Sequence, residues 1–235
     1  MLHIYGNYME ATKIYKPEIL ICPKCNSNLK YVYAISNKVV NFSSGKQIRI
    51  KNLGYKCPNC NDIVYFSQTA NKLAFKGYKY SAKVICNIDY LKNKHKSREA
   101  ICDILNSKGI DISDRNIDIL YNKFKEYLHI PHEKIFEAYD NMLKTYNEIR
   151  LSIDLITINE IIYILFYDFF TGDILSIVKF NGMNDPALKD TLSKYLNKEL
   201  KITVIFSVRS YVSKLVSILK ELVSDDVKFY SFLTF

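Results

Sequence analysis

The spacing of apolar and polar positions changes along the chain, and each change predicts a different kind of element. Between residues 29 and 56 the segment "LKYVYAISNKVVNFSSGKQIRIKNLGYK" alternates and is rich in Val, Ile and Tyr, which predicts ribbon strands with a turn at "NFSSGK". From 80 to 128 the period lengthens to that of a helix. In "YSAKVICNIDYLKNKHK" the residues Val84, Ile85, Ile88 and Leu91 share one helical face. Ser97 is placed to cap a second helix, "REAICDILNSK", whose inner face is Ala100, Ile101, Ile104 and Leu105. Gly109 ends it, "GIDIS" turns, and Ser113 caps a third helix with Ile117, Leu120, Tyr121 and Phe124 inside. Pro131 then opens an amphipathic helix with Ile135, Tyr139, Met142 and Tyr146 in one stripe. After Arg150 come three strands, "LSIDLIT", "IIYILFYDFF" and "DILSIVKF", with a hairpin turn at Thr171, Gly172 and Asp173 between the last two. A helix "NDPALKDTLSKYLN", a strand "ITVIF", a helix "RSYVSKLVSILKELVS" and a strand "VKFYSFLTF" complete the pattern.

These elements predict an α+β multi-domain chain. Residues 1–78 form a β ribbon with a basic arm, 79–130 a helical segment, 131–149 a linking helix, and 150–235 a mixed α/β layer. The last part has the order βββαβαβ, an antiparallel meander continuing into parallel βαβ units. That is the order of the ribonuclease H-like fold without its last helix. Three short helices with a Gly-containing turn before the third also make a helix-turn-helix. Its third helix would offer Arg115, Asp118 and Asn122 to a major groove, although Asp111, Asp114 and Asp118 oppose phosphate. An ordinary three-helix packing unit is the alternative, and the adjoining basic ribbon favours DNA. For the stripe in 131–149 the default is core packing, and self-association into a homodimer is the alternative.

Composition sharpens this picture. Of the 235 residues 49% are hydrophobic, enough for a sizeable core. The apolar runs, such as "IIYILFY", fall far short of the ~20 residues that span a bilayer. The N-terminal "MLHIYGNYMEATKIYK" lacks a contiguous signal-peptide apolar segment. A cytoplasmic location with no membrane partner is therefore expected. The net charge of +9 is uneven, with 16 Lys/Arg against 4 Asp/Glu in residues 1–96 and 17 against 20 in residues 97–235. Such an asymmetry suggests a nucleic-acid-facing arm joined to a near-neutral body, because Lys and Arg that neutralise phosphates release counterions, and a solvated Lys-rich surface is the alternative; the expected partner is double-stranded DNA. Lys24, Lys30, Lys46, Arg49, Lys51 and Lys56 are the ribbon's candidate phosphate contacts, joined by Lys13 and Lys16. Tyr31, Tyr33 and Tyr55 are able to pack on sugar or base faces.

Four of the six cysteines fall in two matched pairs, "CPKC" (Cys22, Cys25) and "CPNC" (Cys57, Cys60), with 31 residues between the pairs. Each Cys-x-x-Cys knuckle points two thiolates at one place, and two knuckles supply the four sulfurs of a tetrahedral structural Zn²⁺. A redox pair or structural disulfides compete with zinc, and a cytosolic chain with two such pairs argues against both. Four sulfurs leave no open coordination position, so the expected metal is structural rather than catalytic. Cys86 and Cys102 occupy apolar helical positions and read as small buried hydrophobes. None of the four histidines has ligand spacing to the knuckles.

In this order, a zinc ribbon whose second knuckle reads "GYKCPNCNDIVYF", then "SREAICDILNSKGIDISDRNID", then "LSIDLITINEIIYILFYDFFTGDILSIVKF", resembles the DDE-superfamily transposases of prokaryotic insertion sequences. The resemblance runs roughly from Ile21 to the end. It implies three carboxylates converging on two divalent ions such as Mg²⁺, for in-line phosphoryl displacement. Asp154 matches the first acid. Where the resemblance implies Asp-Gly at the end of the fourth strand, this chain has Phe206 and Ser207. The third acid lies on a helix after the fifth strand, and this sequence stops at Phe235. Asp168, Asp225 and Asp226 are the nearby substitutes, and Asp168 reads more simply as a hairpin-flanking residue. The function expected is DNA binding by a transposase-derived, catalytically incomplete protein. Two alternatives are an active metal-dependent nuclease using Asp154 with acids from elsewhere, and a zinc-ribbon transcription factor or adaptor that touches protein.

Overall fold

A computed structural model describes residues 12–60, 63–75, 77–128, 130, 132–181, 185–208 and 212–232. Pro131, expected to open a helix, residues 209–211, expected to begin the last one, and the first 11 residues lie outside them. The alternation in the N-terminal part becomes a mixed sheet of β1 (Thr12–Tyr15), β2 (Lys30–Asn41), β3 (Gln47–Lys56) and β4 (Val64–Tyr65). The order is β1-β3-β2, with β4 also paired to β3. β2 and β3 form an antiparallel hairpin, while β1 runs parallel to β3. At the hairpin turn Gly45 has φ +77°, and a Cβ there would lie 2.3 Å from the Lys108 carbonyl oxygen. Only glycine suits both the left-handed backbone and that close approach.

One face of β3 buries Ile48, Ile50 and Asn52. Against it lies a helix that the sequence pattern did not predict, α1 (Gln68–Lys72), packing through Ala70 and the following Ala74. Five residues are too few to show a period, and α1 is held by long-range partners instead. Ser67 caps it by accepting from the Ala70 amide at 3.1 Å, and the Glu18 carboxylate accepts from the Gln68 and Thr69 amides at 3.0 and 2.8 Å. Asn52 fixes α1 to the sheet by donating to the Ser67 carbonyl, 3.1 Å.

The helical pattern becomes α2 (Ala82–Asn93), α3 (Arg98–Asn106), α4 (Asp114–Leu128) and α5 (His132–Tyr146). Val84, Ile85, Ile88, Ile101, Leu105, Ile117, Leu120 and Phe124 are buried, as the faces require, while Leu91, Ala100, Ile104 and Tyr121 stop at half-buried. Ser97 caps α3, its hydroxyl accepting from the Ala100 amide at 3.2 Å. Gly109 turns the chain at φ +78°.

The C-terminal strands β5 (Ile149–Ile158), β6 (Ile161–Asp168) and β7 (Ile174–Asn181) form the antiparallel meander. Helix α6 (Asp185–Ser193) leads to β8 (Ile202–Val208), and α7 (Val212–Leu222) leads to β9 (Lys228–Phe232). Both β8 and β9 add in parallel, giving the order β7-β6-β5-β8-β9. Alternation then assigns two faces. Leu151, Ile153, Ile164 and Phe166 pack with α5, α6 and α7, burying the stripe of Ile135, Tyr139, Met142 and Tyr146 in the core. Tyr163, Leu165, Tyr167 and Ile177 face α2, α3 and α4. The helices of 79–130 are thus one layer of a three-layer α/β/α body. A buried ion pair fastens that layer: Asp89 on α2 accepts from Lys179 Nζ on β7 and from the Tyr163 hydroxyl on β6, both at 2.7 Å.

Candidate metal centre and nucleic-acid interface

The two Cys-x-x-Cys knuckles sit at the open end of the β2–β3 hairpin, where Lys30 pairs with Lys56, so strand pairing itself brings them together. In the first knuckle the Cys22 amide donates to the Ser27 carbonyl at 2.8 Å and the Asn26 amide to the Cys22 carbonyl at 2.9 Å. Asn26 makes this turn at φ +57°, a conformation asparagine tolerates. In the second, the Asn59 and Cys60 amides donate to Cys57 Sγ at 3.4 and 3.3 Å, which fixes the sulfur's position in the turn.

The four Sγ atoms of Cys22, Cys25, Cys57 and Cys60 all lie within 4.8 Å of one another. Zn–S bonds of ~2.3 Å in a tetrahedron would set sulfurs roughly 3.8 Å apart, so this donor set fits a metal of that kind. Hydrogen bonds from the Ser27 hydroxyl and amide, and then from Cys60 and Cys57, lower the Cys25 thiol to about 6. Hydrogen bonding to Cys25, followed by burial, pushes Cys60 up to about 12. Cys22 and Cys57 are buried in the same core as Tyr65 and Tyr146, which closes the inner side of the site. Among the described residues no other group of three or more Cys, His, Asp or Glu is close enough to hold an ion.

The candidate phosphate contacts lie on the sheet around this centre. Lys24, Lys30, Lys46, Arg49 and Lys51 are exposed, and Lys56 is half-buried. On the helical layer Arg115 and Asn122 are exposed on α4. Asp118 sits 2.9 Å from Lys92 and 3.7 Å from Arg98, and Asp114 is also 3.7 Å from Arg98. The acidic residues that oppose phosphate on α4 are thus partly neutralised by α2 and α3, a compensation across helices that sequence spacing does not reveal. Glu18, the one carboxylate between residues 12 and 60, is committed to the N-terminus of α1.

Asp154 stands in β5 between Leu165 of β6 and Val208 of β8. Ser207 pairs with Ile153 and Phe206 with Ser152, so the parallel neighbour brings no carboxylate alongside. Alternation puts Asp154 and Ser152 on the face that α1 and α2 approach. From α1 the Lys72 ammonium donates to the Ser152 hydroxyl and lies 5.5 Å from the centre of the Tyr167 ring. Burial pulls the Lys72 pKa down, and the charges of Asp154 and Glu18 hold it up. Lys72 was missed from the sequence because a lone lysine in "QTANKL" carries no signal, and only the fold sets it beside Asp154. Asp168 has a plain structural task, accepting from the Phe170 and Thr171 amides at 2.6 and 3.2 Å across the hairpin loop. Asp225 and Asp226 are exposed ahead of β9. No family model matches the chain, and no curated protein matches it.

Proposed function

We propose that this chain is a transposase-derived DNA-binding protein that retains the architecture of the DDE superfamily without its two-metal centre. The observation that carries the reading is the N-terminal sheet, with four converging cysteines at one end and exposed Lys24, Lys30, Lys46, Arg49 and Lys51, where among the described residues 12–60 the one carboxylate, Glu18, is committed to α1. In this reading the sheet and its knuckles are a zinc ribbon. Zinc held by Cys22, Cys25, Cys57 and Cys60 would supply rigidity rather than chemistry. The lysines and arginine neutralise backbone phosphates of duplex DNA, and Arg115 and Asn122 extend the contact from α4 as the reading member of a helix-turn-helix.

The strand order β7-β6-β5-β8-β9 supports a ribonuclease H-like scaffold for the C-terminal part. On that scaffold Asp154 is a vestige of the first acid. One carboxylate cannot replace the oxygen ligands that two Mg²⁺ ions require, and Lys72 supplies the compensating positive charge instead. Filter binding against duplex DNA over a salt series tests the reading. Affinity should fall steeply with salt, and Asp154→Ala should bind as the parent does with no Mg²⁺- or Mn²⁺-dependent cleavage from either. Affinity indifferent to salt, or cleavage that Asp154→Ala abolishes, overturns it.

A further inference from the structure

We infer that the open face of the N-terminal sheet binds unpaired nucleotides, stacking bases on Tyr31 and Tyr55 while Arg49 and Lys51 hold the phosphates; this rests on the proposed DNA contact and specifies the form of DNA that this face takes. The register defines the face. Burial of Ile48, Ile50 and Asn52 turns Arg49, Lys51, Leu53 and Tyr55 outward along β3. Thr12 and Ile14 of β1 pair with Arg49 and Lys51, and Tyr31 of β2 pairs with Tyr55, so all share that side. Tyr33 is across from Gly54 on the other side, edge-on to Phe66 at 6.0 Å, and takes no part.

Two features of this face suit single strands. Tyr31 is 56% exposed and Ile14 65%, a cost that burial of an apolar or aromatic partner would recover. The Tyr31 and Tyr55 rings meet edge to face, centroids 5.9 Å apart; Tyr31 offers most of the open ring surface, and Tyr55, half-buried at the edge of the core, backs it. Four residues separate Lys51 from Tyr55, about 13 Å along a strand, a reach of roughly two nucleotides. Among the described residues 12–60 the one carboxylate, Glu18, is turned to α1. Three strands side by side with their side chains are also too broad to enter a major groove about 12 Å wide. A flat basic sheet with exposed aromatics instead resembles the platforms on which splayed bases stack.

The test uses the full chain purified with its metal, a labelled oligothymidylate and a blunt duplex of the same length. Replacing both tyrosines, Tyr31→Ala with Tyr55→Ala, should weaken oligothymidylate binding about tenfold or more and duplex binding less than about twofold. Tyr31→Phe with Tyr55→Phe, which keeps the stacking surface, should bind oligothymidylate within about twofold of the parent. Unchanged oligothymidylate affinity in the alanine variant, equal losses for both DNA forms, or a phenylalanine variant as weak as the alanine one overturns the inference while salt-dependent duplex binding stands. No binding of either DNA by the parent chain overturns the inference together with the proposed function.

Discussion

The charges of Lys72 and Asp154 act on each other across the face of the C-terminal sheet. Removing the charge by Lys72→Met should lower stability by about 2–4 kcal/mol, because the remaining carboxylate and the Ser152 hydroxyl lose a half-buried partner. Adding Asp154→Asn should return part of that loss, with a coupling of about 1 kcal/mol in a double-mutant cycle followed by urea unfolding. Strictly additive losses would mean that the two residues ignore each other. The cysteines lend themselves to a sharper test. Cys57 receives two backbone N–H donors and is buried, so Cys57→Ser should lose both metal and order. Metal analysis should fall from one equivalent of zinc per chain to close to none, with loss of strand signal in circular dichroism. A full equivalent retained would place the metal elsewhere.

At the level of elements, the ion pair of Asp89 with Lys179 and the Tyr163 hydroxyl decides whether α2 stays on the sheet. Asp89 is 2% exposed, and Asp89→Asn leaves the Lys179 ammonium without its counter-charge. The expected cost is about 3–5 kcal/mol, read from the denaturant midpoint. A loss below about 1 kcal/mol would show that apolar packing alone holds the layer. This contact also marks what the sequence could and could not disclose. Period and capping residues identified α2 to α5, the β2–β3 hairpin and the βββαβαβ order, because those signals are local to each element. The knuckle spacing brought Cys22, Cys25, Cys57 and Cys60 to one site for the same reason. By contrast β1, β4 and α1 are short and depend on partners far along the chain, such as Glu18 at the amides of Gln68 and Thr69. The packing of α2, α3 and α4 on the C-terminal sheet depends likewise on Asp89 finding Lys179, 90 residues away. So does Lys72 meeting Ser152, 80 residues away.

Across the whole molecule, tyrosine burial sets how stability responds to alkali. Burial raises the pKa of Tyr139, Tyr163 and Tyr167, and it pushes Tyr146 up to about 12 with Asp168 adding to the shift. A raised phenol pKa means that the folded state keeps a proton the unfolded chain gives up. Stability from these groups is therefore complete below the unfolded value near 10 and declines as pH rises above it, by about 1.4 kcal/mol per tyrosine per pH unit. The share of tyrosinate absorbance that comes from the buried tyrosines and the loss of helical signal should rise together above about pH 10. Ionisation of these tyrosines well before unfolding would contradict their burial. Charge separates a cationic N-terminal sheet from a near-neutral three-layer body, and the proposed DNA binding falls to the first. The most direct measurement is the salt slope of duplex affinity for the parent chain and for a variant carrying Lys24→Gln, Lys30→Gln and Lys51→Gln. The parent should show a steep decline, and the triple variant a slope shallower by about 2–3 at unchanged melting temperature. A flat slope in the parent, or the same slope in both proteins, would contradict it.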